Sequence, residues 1–198
     1  MQYDLFEELP TDVTDGKTCI KCNKYLPQEA FEEIQRVFLG KQFSWYFIPY
    51  INHNSEHERN NLDWFEFCHL LWDPAGGICS ESATGVIEIF KERLDAYMWL
   101  RIKANLTVYS ENPQATDFHT DFNHPMPIDK ITTAIYYVNT TNGYTEFIDG
   151  RKVESVANRL VKFPCNLRHQ GTTCSDTKQR VVINFNYFDA QGAGTIQH

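Results

Sequence analysis

The sequence has no apolar run long enough to cross a bilayer, and its opening, M-Q-Y-D-L-F-E-E-L-P, is acidic where an export signal would be basic and then apolar. A soluble, intracellular, cytoplasmic protein with no membrane partner is expected. Basic residues are scarce: 18 Lys and Arg against 26 Asp and Glu leave a formal net charge of −8 with no Lys/Arg cluster. Clustered cations supply most non-specific affinity for polyanions, so nucleic acid is disfavoured as a partner. Six cysteines, at 19, 22, 68, 79, 165 and 174, are too sparse for a disulfide-stapled secreted scaffold and are expected as reduced thiols. Cys19 and Cys22 have the spacing of half a zinc site, but no second C-x-x-C supplies the remaining ligands, so two thiols are the default. Internal repeats are also lacking.

What is present suits one core. At 198 residues, 42% hydrophobic and 14% aromatic, the chain can bury enough surface to fold without staples. The expected organisation is a single domain over 1–198: an N-terminal extension with the cysteine pair (1–25), a helical and strand support (26–100), a β core (101–188) and a loose tail. In P-Q-E-A-F-E-E-I-Q-R-V-F-L-G, Ala30, Phe31, Ile34, Val37 and Phe38 share a helical face between Pro27 and Gly40, which are start and stop signals. Strands are expected over 42–50 and 63–72, with a polar loop at 51–61 between them and a P-A-G-G break after. Residues 80–100 put Val86, Ile87, Phe90, Leu94, Tyr97 and Met98 on a second helical stripe, with Ser80 or Ser82 as cap. Beyond it, R-I-K-A-N-L-T-V-Y, I-T-T-A-I-Y-Y-V-N, Y-T-E-F-I, R-L-V-K-F and R-V-V-I-N-F-N-Y-F are short strands divided by turns, a β-sandwich or barrel.

The chemistry-bearing residues lie in that half. In F-H-T-D-F, His119 and Asp121 project to one face if the backbone is extended, and so can grip one object. His169, in F-P-C-N-L-R-H-Q-G, is the strongest candidate for a third ligand. Two His and one carboxylate on one face of a metal leave the opposite positions open, an arrangement associated with non-heme Fe(II) chemistry. Arg180 follows His169 by eleven positions. Strand alternation sets Arg180, Val182, Asn184 and Asn186 on one face and Val181, Ile183, Phe185 and Tyr187 on the other. If the first face is interior, the guanidinium needs an anion to offset desolvation, and a dicarboxylic acid held by a bidentate fork would be one.

This set resembles the 2-oxoglutarate- and Fe(II)-dependent oxygenases, in the branch that includes prolyl 4-hydroxylases and small single-domain phage and bacterial members. The family order is His-x-Asp, a strand, a glycine turn of the T-x-F type, a second His, and a basic residue about ten positions on. Here these are His119-Thr120-Asp121, I-T-T-A-I-Y-Y-V-N, N-G-Y-T-E-F, His169 and Arg180. The likeness covers roughly 100–188. It implies a mainly β fold with flanking helices and a double-stranded β-helix (jelly-roll, cupin-like) core. It also implies Fe(II) on His119, Asp121 and His169, and 2-oxoglutarate with its far carboxylate on Arg180 and Tyr137. Tyr109 matches a tyrosine that faces the co-substrate in prolyl-hydroxylase-like members. Dioxygen would be consumed, with ascorbate as a candidate reductant, to hydroxylate an unactivated C–H bond with release of succinate and CO2. A phage-encoded chain would act in the host cytoplasm. Arg180 where prolyl 4-hydroxylases usually carry Lys, and Tyr144 where a second glycine is usual, weaken proline as the substrate, leaving a protein side chain or a small molecule.

Other readings stay open. His124 is either a solvated loop residue or a substrate contact; Asn105 either reaches the co-substrate or satisfies backbone; Trp45 and Tyr46 either line a groove or fill the core. Tyr109 and Tyr137 could equally be core aromatics. Loops 51–61, 73–80 and 122–130 are the expected pocket walls. The competing functions are a non-catalytic β-helix binding module and a nucleic-acid demethylase on the same core. Oligomeric state is not legible.

Overall fold

The computed structural model describes residues 11–13, 20–50, 55–121 and 130–189. In chain order the elements are β1 (Thr11–Val13), β2 (Ile20–Cys22), α1 (Gln28–Phe38), β3 (Tyr46–Ile48), α2 (Glu56–Asn60), β4 (Glu66–Asp73), β5 (Gly77–Ile78) and α3 (Ala83–Leu94). They continue as β6 (Ala96–Val108), β7 (Ile131–Tyr137), β8 (Tyr144–Phe147), β9 (Lys152–Glu154), β10 (Arg159–Pro164), β11 (His169–Gly171) and β12 (Gln179–Asp189). A nine-stranded sheet runs β1-β2-β10-β7-β12-β6-β4-β3, with β5 paired to β4, and a three-stranded sheet runs β11-β8-β9. Every pairing between these strands is antiparallel. No helix among the described residues is long and apolar enough to cross a membrane.

Strand β12 shows how the sequence pattern sorts the two faces. Val181, Ile183, Phe185 and Tyr187 enter a core that also holds Ala30, Ile34 and Phe38 of α1 and Val86, Phe90 and Leu94 of α3. Val182, on the opposite face, packs with Ile135, Tyr137, Phe147, Val153, Val161 and Phe163, which joins the large sheet to the small one. The alternation expected of this strand is therefore present, and the helices cover one face while the small sheet covers part of the other.

Helix α1 follows Pro27 as expected, but the second helix is shorter than its periodicity suggested. It ends at Leu94, Asp95 takes a left-handed φ of 52°, and β6 begins at once. Tyr97 and Met98, placed on the helical stripe by spacing, are strand residues exposed by 81% and 47%. Ladder pairing wins there: Met98 is opposite Phe188 and Trp99 opposite Tyr187. The polar loop at 51–61 is in part a helix, α2, capped by the Ser55 hydroxyl, which accepts the Glu58 amide at 3.0 Å. The strand expected over 42–50 shrinks to β3, and the 73–80 break contains β5. Cys19, His124 and residues 51–54, 122–129 and 190–198 lie outside the described residues.

One buried side chain ties the start of α1 to the sheet. Asn158, at φ 59°, accepts the Leu26 amide at 2.8 Å and the Tyr136 hydroxyl at 3.0 Å, and donates to the Leu26 carbonyl at 2.8 Å. Asparagine tolerates the left-handed conformation better than most residues. Asn158→Ala would leave both buried Leu26 backbone groups unpaired, which costs about 2–4 kcal/mol. Urea unfolding should show that loss, with Asn158→Asp, which keeps the acceptor, intermediate.

Candidate active site

Strand β11 and the segment before Asp121 hold each other by reciprocal backbone bonds, His169 N–H to His119 C=O at 2.9 Å and His119 N–H to His169 C=O at 3.0 Å. This narrow bridge sets the two imidazoles side by side, ring centres 4.9 Å apart. Each Nδ1 meets a backbone carbonyl two residues earlier, Asp117 at 2.9 Å for His119 and Leu167 at 3.1 Å for His169. A carbonyl can only accept, so Nδ1 carries the proton and Nε2 keeps its lone pair for a ligand. Burial depresses the His169 pKa, against the pull of Asp121, which favours the neutral imidazole.

Asp121 completes the group. One ligand atom each from His119, Asp121 and His169 lie within 4.8 Å of one another, close enough to hold a metal ion. The carboxylate is braced on both oxygens: Arg101 Nη2 donates to Oδ1 at 3.2 Å, while Asn186 Nδ2 at 3.0 Å and Thr133 Oγ1 at 3.1 Å donate to Oδ2. Burial alone would raise its pKa, but His169, Arg101, His119 and the Asn186 hydrogen bond outweigh it and hold the carboxyl far below its usual range. An ionised carboxylate and two imidazoles with free Nε2 atoms are a donor set that suits non-heme iron. His119 and Asp121 do not lie on a regular strand. His119 sits in the isolated bridge and Asp121 in a bend, yet both reach the same point as His169.

A cavity of about 50 Å³ opens beside His119 and His169 and ends at Arg180. Water needs ~10–15 Å³ on this measure, so it has room for a small polar molecule. Arg180 is 5% exposed; its Nε donates to Ser155 Oγ at 2.6 Å and its Nη2 to Thr145 Oγ1 at 3.3 Å. Among the described residues no carboxylate lies within ion-pair distance of it. Burial depresses its pKa. Tyr137 is fully buried, its ring centre 5.6 Å from the guanidinium carbon, and its hydroxyl donates to Thr145 Oγ1 at 2.8 Å. A Cβ on Gly143 would stand 2.7 Å from Arg180 Cδ and 2.9 Å from the Thr173 carbonyl, so the turn needs glycine to let the arginine pass.

The structure thus sets His119, His169 and Arg180 on one cavity, with Asp121 beside the two imidazoles and Tyr137 against Arg180, and leaves Tyr109 outside it. Tyr109 is 52% exposed, its amide bonded to Lys178 C=O, and it does not line the cavity. Asn105 does, with Oδ1 unpartnered. Tyr46 is exposed, and Trp45 is half-buried against Phe43. Residues that the sequence did not single out also line the cavity: Trp64, Glu66, Thr107 and Thr145. Glu66 is buried and faces Lys103 Nζ at 3.4 Å; burial raises its pKa, with Lys103 opposing. Alternation with Phe65 and Phe67 would by itself turn an acid to solvent, so F-E-F-C carries no local signal for its burial.

Asn186 is neutral and fully buried, which makes it the cleanest probe of the brace on Asp121. With Mn(II) as a redox-inert ion, isothermal titration should give one site per chain, lost in His169→Ala. Asn186→Ala should weaken it by about 10–100-fold, the usual effect of removing a hydrogen-bond partner of a ligating carboxylate. Unchanged affinity in a folded Asn186→Ala protein would discount the brace.

No family model and no curated protein matches the sequence. Solved structures do match the fold. A prolyl hydroxylase from Trichoplax adhaerens, in complex with a hypoxia inducible factor oxygen degradation domain peptide, superposes with TM-score 0.58 at 14% identity, over 89% of this chain and 86% of that one. An oxidoreductase of the 2OG-Fe(II) oxygenase family from Burkholderia pseudomallei gives 0.58 at 12% identity, over 90% and 89%. The viral collagen prolyl hydroxylase of Paramecium Bursaria Chlorella virus-1, a 2OG complex, gives 0.51 at 15% identity, over 90% and 99%. With its mostly antiparallel sheets and flanking helices, the chain has the jelly-roll fold of the 2-oxoglutarate- and Fe(II)-dependent oxygenases.

Proposed function

We propose that the chain is a 2-oxoglutarate- and Fe(II)-dependent dioxygenase that hydroxylates an unactivated C–H bond of a protein side chain or a small molecule. The observation that carries this reading is a His-Asp-His group whose two imidazoles share a cavity with a buried arginine that has no carboxylate within ion-pair distance among the described residues. The balance is R–H + 2-oxoglutarate + O2 → R–OH + succinate + CO2. Bound Fe(II) would supply the oxygen activation that no side chain can.

The chain's own residues hold and exclude. His119 and His169 would offer Nε2, and Asp121 an oxygen fixed by Asn186 and Thr133, leaving the opposite side of the ion for co-substrate and dioxygen. Arg180, aimed by Ser155 and Thr145, would take the far carboxylate of 2-oxoglutarate, with the Tyr137 and Thr145 hydroxyls beside it. Tyr109, at the surface, is not assigned a part. The walls are buried, so the anion would meet Arg180 with little competing water, where a charge pair is strongest. Two of the similar structures are named for peptide or collagen hydroxylation, which supports a protein substrate as one branch of the reading. Ascorbate would serve as external reductant, and the scarcity of Lys and Arg disfavours a nucleic acid as substrate.

Succinate release from 2-oxoglutarate with Fe(II) under air is the direct test, and His119→Ala should abolish it. Arg180→Ala should raise the KM for 2-oxoglutarate by roughly tenfold or more, because a charge-assisted hydrogen bond contributes about 1.5–3 kcal/mol. No turnover and no Mn(II) uptake would favour a non-catalytic module. Glu66→Gln should shift KM the other way, since it removes a like charge from the wall facing a dianion.

A further inference from the structure

The cavity wall contains a donor that nothing among the described residues satisfies. Trp64 is 2% exposed, lines the cavity, and its indole Nε1–H has no hydrogen-bond partner among the described residues. An indole nitrogen can only donate, and a buried unpaired donor costs about 1–3 kcal/mol, so such groups are rare unless something outside the protein meets them. Its backbone is fixed. The Trp64 amide donates to Asn61 C=O at 3.1 Å, Asp63 N–H to Asn61 Oδ1 at 3.0 Å, and Asn61 Nδ2 to Gln114 Oε1 at 3.2 Å. The turn after α2 therefore fixes the Trp64 backbone, and burial packs the ring in the wall.

Ladder register shows which end of the cavity it serves. Phe67 is opposite Leu106, and Arg180 is opposite Thr107, so the residues just before Phe67 run to the level of Arg180 and past it. Asp121 is braced at the other end, by Arg101 and Asn186, which face each other six residues further along β6 and β12. Thr107, beside Arg180 in the ladder, also has an unpartnered buried hydroxyl on the same wall. Glu66 shares this wall but is held by Lys103 and lies beyond ion-pair distance of Arg180. A donor-only nitrogen, a hydroxyl and a guanidinium that lack acceptors or a carboxylate partner among the described residues therefore call for an anion rich in acceptors.

Resting on the co-substrate reading above, we infer that Trp64 Nε1–H donates a hydrogen bond to the far carboxylate of the bound dicarboxylate, sharing that group with Arg180. Trp64 is then a binding residue supplied from outside the core strands, and it contributes to selection of a dicarboxylic over a monocarboxylic keto acid.

The test uses the full chain with 2-oxoglutarate and Zn(II), a diamagnetic ion that binds His and carboxylate ligands without broadening nearby resonances. The chain has four tryptophans, so ¹H–¹⁵N spectra should hold four indole resonances, and the one missing from Trp64→Phe is that of Trp64. In the wild-type protein this resonance should move downfield on saturation. Trp64→Phe, which keeps an aromatic ring in the wall, should raise the Kd for 2-oxoglutarate about tenfold, as loss of a hydrogen bond to a charged group does, while Zn(II) affinity stays the same. A stationary indole resonance, with equal Kd in wild type and Trp64→Phe, overturns the assignment and leaves the co-substrate reading intact. Failure of the wild-type protein to bind 2-oxoglutarate at all overturns that reading, and this assignment with it.

Discussion

A guanidinium taken out of water with no carboxylate partner among the described residues is the constraint on which the arrangement turns. Charged groups are rarely buried unless paired, because their desolvation exceeds what neutral hydrogen bonds return. Arg180 has two hydroxyl acceptors and an aromatic face, which orient it without neutralising it. Several otherwise unrelated features serve that position. Gly143 leaves room for the arginine's methylenes, Thr145 accepts from both Arg180 and Tyr137, and Ser155 arrives from the segment after β9. Glu66 on the same wall favours the charged form from beyond ion-pair distance, and the fold aims the guanidinium into the cavity.

Strand β12 makes that tolerable, since its two faces do opposite work. Val181, Ile183, Phe185 and Tyr187 are fully buried under α1 and α3, and each such side chain stabilises the fold by about 1.5–3 kcal/mol. The other face carries Arg180 near one end and Asn186 near the other. A strand anchored that firmly on one side can hold polar groups in place on the other, and central position between β7 and β6 fixes its register on both edges.

Legibility in the sequence followed the range of the interaction. Arg180 was readable because alternation along one strand is local, and the helix face of α1 because Ala30, Ile34 and Phe38 repeat at helical spacing. His119, Asp121 and His169 were readable from their order and from family likeness, although the motif sits in a bridge and a bend instead of a strand. The end of α3 was misread because a 3.6-residue stripe continues through Tyr97 and Met98, and only the left-handed Asp95 and the long-range ladder to β12 reveal the strand. Tyr109 was placed by analogy, and here its side chain is half-exposed just past the end of the β6–β12 ladder, where its amide bonds to Lys178. Ser155, Thr107 and Trp64 carry no local signal, since each acquires its meaning only from what the tertiary fold sets opposite it.

Stability and chemistry are in tension along this wall. Trp64 Nε1, Asn105 Oδ1, Thr107 Oγ1 and Asn184 Oδ1 are all buried, without a partner among the described residues, and on residues that line the cavity. At about 1–3 kcal/mol apiece such groups are comparable with the ~5–15 kcal/mol by which whole domains are stable. A ligand that satisfies them returns much of that as binding free energy and raises stability by mass action. A core of Val, Ile and Phe on both faces would hold the sheets together better and bind nothing. The apolar face of β12 is what permits the polar one to remain unsatisfied until a molecule with the complementary acceptors arrives.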